Sequence, residues 1–325
     1  MPRLIVILAF EGVTSVDVAS AADVFHVGTL YRNKKQKKPY EIKVASVAGG
    51  LITSMSGLSI GTIGLDSIDY REIDTIIVPG GGPPHNPPIP GDLVAWLKKH
   101  AHGIRRICGV CTGTFLLAEA GLLEGKRATT HWQAEAVLRQ RYSNIDVDMS
   151  SIYIKDENLW TSAGFSAGTD VALALIEEDE GHDRAVQLAK MLVVYLKRSG
   201  SQSQVSTPLT FQEKSDDHFS KLHAWIVENL TSELSIERLA EVAGMSVRTF
   251  VRRYKEAVGC TPARTVEAIK LEVACEGLSN SSDSIKQIAR ASGFGDQQNM
   301  RRAFIRSFGV SPKQYREQHN SDREA

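Results

Sequence analysis

Two periodicities divide the chain. Up to about residue 197, short apolar runs alternate with longer amphipathic ones: "RLIVILAF", "SVDVASAADVFHVGTLYRN", "YEIKVASV", "IDTIIVPGGG", "DLVAWLKKHA", "IRRICGV" and "CTGTFLLAEAGLL". A continuous apolar run of strand length is buried on both faces, and such strands separated by helices form a parallel sheet covered on both sides. The pattern therefore predicts a doubly wound α/β domain, with further helices at "HWQAEAVLRQRY", "TDVALALIEED" and "DRAVQLAKMLVVYL". The Ser- and Gln-rich "KRSGSQSQVSTPLTFQEKSDD" (197–217) has neither period and reads as a linker. From Phe219 onward every periodic segment is helical. The organisation expected is an α/β domain over 1–198, a linker over 199–218 and an all-α domain over 219–319.

The helical part contains an internal repeat. "FVRRYKEAVGCTP" (250–262) and "MRRAFIRSFGVSP" (300–312) share Arg, Gly and Pro at an offset of 50, and "LAEVAGMS" matches "IARASGFG" at an offset of 49. Each copy has a short helix, a turn with Gly244 or Gly293, and a second helix whose apolar residues recur at i and i+4: Phe250 and Tyr254, then Met300, Phe304 and Phe308. That spacing buries one face and turns Arg248, Arg252, Gln297, Gln298, Asn299, Arg301 and Arg302 largely outward. Helix, Gly-containing turn and basic helix form the helix-turn-helix layout, whose second helix enters the major groove. Arg suits guanine, Gln and Asn suit adenine, and the remaining basic residues suit phosphate. A single basic amphipathic helix is more often a solvated face; duplication of the whole layout favours DNA.

Charge sharpens this picture only locally. The chain of 325 residues has a formal net charge of zero. From residue 220 onward there are 16 Lys+Arg and 13 Asp+Glu, hence +3, leaving −3 before it. Yet 246–255 and 297–316 together carry nine basic residues and no acid. The run "LIVILAF" is too short to cross a bilayer and lacks a cleavage site, so a cytoplasmic protein is expected. Cys108, Cys111, Cys260 and Cys275 form neither a disulfide framework nor a zinc spacing, and no metal or cofactor is implied.

Cys111 stands between an apolar strand and a helix, flanked by Gly109 and Gly113, where a nucleophile elbow would expose its sulfur at the sheet's carboxyl edge. The helix N-terminus behind it would lower the thiol pKa, and "VPGGG" (78–82) would add backbone donors. Asp17 and His131 are candidate partners. Three other roles stand beside the nucleophile: an oxidation sensor, a ligand-pocket wall, or simply the small residue that fits the turn. Cys108, three residues earlier in an extended strand, would lie roughly 10 Å away and reads as core. Trp96, Trp132 and Trp225 read as core or interface anchors, and "NKKQKKPYEIK" (33–43) as a solvated loop.

Residues 219–319 resemble the double helix-turn-helix domain of AraC/XylS-type transcription regulators, through "LSIERLAEVAGMSVRTFVRRYKEAVGCTPARTV" and "IKQIARASGFGDQQNMRRAFIRSFGVSPKQYR". Lys270, in the helix between them, stands where that family usually has Arg. Residues 3–198 resemble the class I glutamine amidotransferase-like domains of the PfpI and isonitrile hydratase superfamily, chiefly through "ICGVCTGTFLLAEAGLLEGKRATTHW". The combination resembles GlxA-family transcription regulators. The resemblance implies a flavodoxin-like sheet and a regulator, usually an activator, that binds promoter DNA and works with RNA polymerase. It also implies a homodimer and a small, nitrogen-containing effector held at Asp17, Gly81, Cys111, Thr112 and His131. It assigns no catalytic residue. The alternative is a Cys111-dependent hydratase or hydrolase of a small carbon–nitrogen compound with an attached DNA-binding domain. Thr112, where PfpI-type proteases carry His, speaks against protease activity.

Overall fold

A computed structural model describes residues 2–30, 38–194, 198–200, 202–206, 209 and 217–317. Parts of the expected loop (33–37), of the linker, of the helix at 183–196 and of the end of the last domain (318–319) lie outside the described residues. The chain divides into two compact units, Met1–Gln204 and Val205–Ala325.

The first unit is built on an eight-stranded sheet ordered β3-β4-β2-β1-β5-β6-β10-β9. Its centre is made of β1 (Arg3–Leu8), β2 (Tyr40–Ser46), β5 (Ile73–Val78), β6 (Arg106–Val110) and β10 (Leu159–Ser162), all paired in parallel. The apolar runs of β1, β5 and β6 are buried almost throughout, as a sheet covered on both faces requires. α1 (Ser15–Leu30), α5 (Ser166–Glu180) and α6 (His182–Met191) pack together, and α2 (Gly91–His100) packs on α3 (Gly113–Glu119). This is the doubly wound arrangement expected.

Antiparallel additions close both edges: β3 (Ala48–Thr53) pairs with β4 (Ser59–Gly64), and β9 (Tyr153–Asp156) pairs with β10. Neither hairpin carries a continuous apolar run. β7 (Arg127–Ala128), α4 (Glu135–Arg141) and β8 (Asp146–Val147) complete the unit. Arg106 is a buried charge inside an apolar strand; it is held by Asp179 (2.8 Å), Glu178 (3.0 Å) and the Leu175 carbonyl (2.9 Å), which offset its desolvation.

The second unit is helical: α7 (Asp217–Glu228), α8 (Ile236–Val242), α9 (Val247–Val258), α10 (Pro262–Asn280), α11 (Ile285–Ala291) and α12 (Gln297–Phe308). It has two small cores. Phe219, Leu239, Phe250 and Tyr254 belong to one; Leu278, Ile288, Met300 and Phe304 belong to the other. α10 gives Val266 and Ile269 to the first and Leu271, Ala274 and Leu278 to the second, so it joins them. Helix starts follow capping chemistry: Ser246, Thr261, Ser284 and Asp296 each accept a backbone N–H from the third residue on, and Ser284 with Gln287 forms a capping box. Gly259 and Gly309 end α9 and α12 in the left-handed conformation. Among the described residues no helix is long and apolar enough to cross a membrane.

Candidate functional site

Three strand ends meet at the carboxyl edge of the central sheet: β5 runs into Gly80 and Gly81, β6 into Cys111, and β10 into Gly164 and Phe165. Cys111 turns the chain from β6 toward α3 with φ +56°, the strained elbow that the sequence predicts. Its N–H donates to the Ser162 carbonyl (2.8 Å), and its own carbonyl accepts from the Thr130 hydroxyl (2.9 Å). Gly80 and Gly164 let the backbones close around it. A Cβ at Gly164, whose φ is +82°, would lie 2.2 Å from Cys111 Cβ, and one at Gly80 would lie 2.8 Å from the same atom.

The sulfur is not exposed as an elbow nucleophile would be: Cys111 is 4% exposed. Burial pushes its thiol up to about 12, and the nearby Asp17 carboxylate adds to the shift. Bonds from Thr112 only partly oppose it, so the expected lowering by the helix N-terminus is outweighed. Burial and the neighbouring carboxylate both disfavour the thiolate, the form of a cysteine that attacks. Cys108 is buried within β6, as core, and its thiol is pushed up to about 12 by the same cause.

Asp17, in the first turn of α1, is buried and ties two of the three strand ends together. It accepts from the Gly80 N–H (3.2 Å) and the Phe165 N–H (2.8 Å). Burial raises its carboxyl to about 6 against the lowering by those two bonds. Thr112 and Gly81 are bonded twice, since the Thr112 hydroxyl accepts from the Gly81 N–H (2.9 Å) and donates to the Gly81 carbonyl (3.0 Å). The "VPGGG" amides expected as an oxyanion site are therefore already committed: Gly80 to Asp17, Gly81 to Thr112 and Gly82 to the Gly12 carbonyl.

His131 lies outside the buried cluster. Half-buried, it has its pKa lowered by desolvation, and its Nδ1 accepts from the Gln133 N–H (3.4 Å). Its ring lies 5.9 Å from those of Trp132 and Phe165, which are 52% and 51% exposed. Trp132 is thus a surface ring and not a core anchor. Thr130, Gly164 and Phe165 go unmarked in the sequence, although "TSAGFSAG" repeats the strand, glycine and helix pattern of the Cys111 elbow.

Residues 198–200 and 202–204, expected as linker from Ser199, instead belong to the first unit. Arg198 bonds the buried Asp170 (Nε 3.0 Å, Nη2 2.7 Å) and Ser166 (3.0 Å), and the Gly200 carbonyl accepts from the Ile152 N–H (2.8 Å). Gln204 Nε2 donates to the Thr130 carbonyl (2.8 Å) and Thr129 Oγ1 (3.1 Å).

In the second unit the outward face of each turn-following helix is basic. Arg248, Arg252 and Arg253 on α9, and Gln297, Gln298, Asn299, Arg301 and Arg302 on α12, are all exposed, while Phe250, Tyr254, Met300 and Phe304 are buried. Phe308, expected in the core, is 44% exposed and packs at a tilt on Phe304 and Tyr315. Among the described residues no group of three or more His, Cys, Asp or Glu is arranged to hold a metal ion.

Comparisons with known proteins agree with this division. The DJ-1/PfpI family matches over residues 3–178, and a helix-turn-helix domain matches over 239–318. The chain is 29% identical to the HTH-type transcriptional regulator GlxA of Rhizobium meliloti, covering 87% of this chain and 86% of that one. It is 34% identical to isonitrile hydratase of Pseudomonas putida, over 44% of this chain and 61% of the relative. The crystal structure of an AraC family transcriptional regulator from Pseudomonas putida superposes with a TM-score of 0.52 at 21% identity, covering 59% of this chain and all of that one, and it shares the fold.

Proposed function

The chain belongs to the DJ-1/PfpI family, and from that premise we propose that it is a sequence-specific transcription regulator acting on promoter DNA in the cytoplasm, with a metabolite-sensing first unit. The observation that carries this is the second unit: a duplicated helix-turn-helix whose apolar residues are buried and whose basic residues are exposed on the two helices that follow the turns. The similarity to regulators spans both units, whereas the similarity to isonitrile hydratase stays within less than half of the chain.

The first unit supplies the sensor. Asp17, Gly81, Cys111 and Thr112 hold the strand ends in place, and His131, Trp132 and Phe165 face outward, where a small nitrogen-containing metabolite would meet them. A ligand acts only by favouring one of two arrangements. Arg198 and Gln204, near the end of the first unit, offer the route, because Gln204 rests on Thr130, whose hydroxyl holds the Cys111 carbonyl, and Arg198 rests on Ser166 and Asp170 beside Phe165. A homodimer would set two such units on repeated half-sites, and RNA polymerase would be the partner at the promoter.

The test is a titration of the full chain with the promoter regions flanking its gene, at two salt concentrations, against a double variant Arg248→Ala/Arg302→Ala. Tight, selective binding that the double variant loses is expected. Selective binding that survives it would move the DNA face elsewhere, and turnover of a carbon–nitrogen compound that depends on Cys111 would favour the hydratase reading.

A further inference from the structure

The two helix-turn-helix units are copies of one layout, so they can read different bases only where they differ. At the offset of 50, Arg248 corresponds to Gln298, Thr249 to Asn299 and Arg252 to Arg302. Phe250 and Met300, also equivalent, are both fully buried, so equivalent positions project from the same face of α9 and α12.

Hydrogen bonds sort the outward side chains. The Thr249 hydroxyl is bonded to that of Ser246 (2.9 Å), and Arg252 lies against Glu256 (3.4 Å). Asn299 is held more firmly: its amide donates to Asp296 (3.1 Å) and the Phe294 carbonyl (3.3 Å), and its oxygen accepts from Arg302 (2.6 Å). It is part of the cap of α12, which withdraws it as a base reader. Arg248, Gln297 and Gln298 are exposed on the first turns and have no side-chain bond among the described residues.

Resting on the regulator reading, we infer that the stretch of DNA read by each helical unit is asymmetric, with Arg248 reading guanine in the half-site of the first helix-turn-helix and Gln298 reading adenine in that of the second. The guanidinium fork matches O6 and N7 of guanine, and a carboxamide exchanges one bond each with N6 and N7 of adenine. The two positions should lie about one helical turn apart, roughly 10 base pairs.

Selection of binding sites from a randomised duplex library, with the full chain, tests this. The wild type should recover the guanine and the adenine half-sites together. Arg248→Gln should exchange guanine for adenine in the first half-site only, and Gln298→Arg should exchange adenine for guanine in the second only. Each should weaken the wild-type operator about tenfold. Both residues are exposed, so thermal unfolding of the variants should match the wild type. Selective binding with both preferences unmoved, or moved at both half-sites by either exchange, overturns the assignment alone. Absence of selective binding by the wild type overturns the regulator reading and the assignment with it.

Discussion

In the α/β unit the polar groups of the site face inward and are already bonded: Asp17 to Gly80 and Phe165, Thr112 to Gly81, Thr130 to Cys111. In the helical unit Arg248, Gln297, Gln298 and Arg301 face outward and are bonded to nothing among the described residues. Committed groups define a shape, and uncommitted donors await a partner. The contrast predicts that changes in the first unit act through stability and geometry, whereas changes on the face of the second act through affinity with little loss of fold.

The sharpest way to break the contrast is to ask whether Cys111 reacts. With its pKa near 12 instead of the usual 9, its thiolate fraction at pH 7.5 is lower by on the order of 10³. Alkylation by iodoacetamide, followed by mass spectrometry, should therefore mark the partly exposed Cys260 first and Cys111 slower than a free thiol by a comparable factor. If Cys111 were the first to react, the site would be activated and the wall reading lost.

A smaller effect separates two positions inside the helical unit that the repeat makes equivalent. Gly244 and Gly293 both have positive φ, +62° and +77°. A Cβ at Gly244 meets nothing within 4 Å, but one at Gly293 lies 2.0 Å from the Leu230 carbonyl oxygen. Gly244→Ala should cost about 1 kcal/mol through the backbone conformation alone, and Gly293→Ala about 2–5 kcal/mol once the clash is added. Urea unfolding of the full chain, followed at the helical unit by hydrogen exchange, checks the ratio; equal costs would show that the two turns are packed alike.

The same contrast explains what the sequence made legible. The helical unit depends on contacts a few residues apart, so the i, i+4 pattern found Phe250, Tyr254, Met300 and Phe304 and, by exclusion, the outward face. The place of Asn299 in the cap of α12 was not legible, because its partner Asp296 lies just before the helix and a cap is recognised by its bonds rather than by a spacing. In the α/β unit the strand-end pattern brought out Asp17, Gly81 and Cys111, and the family resemblance added Thr112, but the bond from Phe165 to Asp17 spans 148 positions. No local period reports such a contact. Pattern also leaves the net sign of a pKa shift open, since the helix N-terminus and burial pull Cys111 in opposite directions and only packing decides between them. Arg106 and the β3–β4 hairpin escaped for a related reason: a charge in a strand and a Gly-rich run both look irregular until their partners are in place.

Each unit also buries a titratable group, and the two should respond to pH with opposite sign. Asp17 is raised from 3.8 to about 6, so the native state holds its proton more tightly than the unfolded chain. Its contribution is fully present below pH 4 and is lost as pH rises through 6, by about 3 kcal/mol. Burial of His223, which is bonded to the Tyr254 hydroxyl at 2.7 Å, lowers it from 6.5 to about 4. Its contribution is present above pH 6.5 and is lost as pH falls through 4, by up to about 3 kcal/mol. Stability of the wild type relative to Asp17→Ala should thus fall between pH 4 and 7, and relative to His223→Phe it should fall in the reverse direction. Denaturant midpoints at three pH values measure both; slopes of one sign would contradict the assignment of either buried group.

The smallest effect tests whether the outward face is as uncommitted as it looks. Glu256 is the acid on α9, 3.4 Å from Arg252 one turn away, with both side chains well exposed. Glu256→Gln should cost stability no more than about 0.5 kcal/mol, as exposed i, i+4 pairs do. On DNA the sign reverses, because removing the acid frees the Arg252 guanidinium and takes a negative charge off a face meant for phosphate. Operator affinity should rise by roughly two- to fivefold at low salt, with the gain shrinking at high salt as screening grows. Unchanged affinity at both salts would place Arg252 away from the DNA backbone and leave the reading of the first half-site to Arg248.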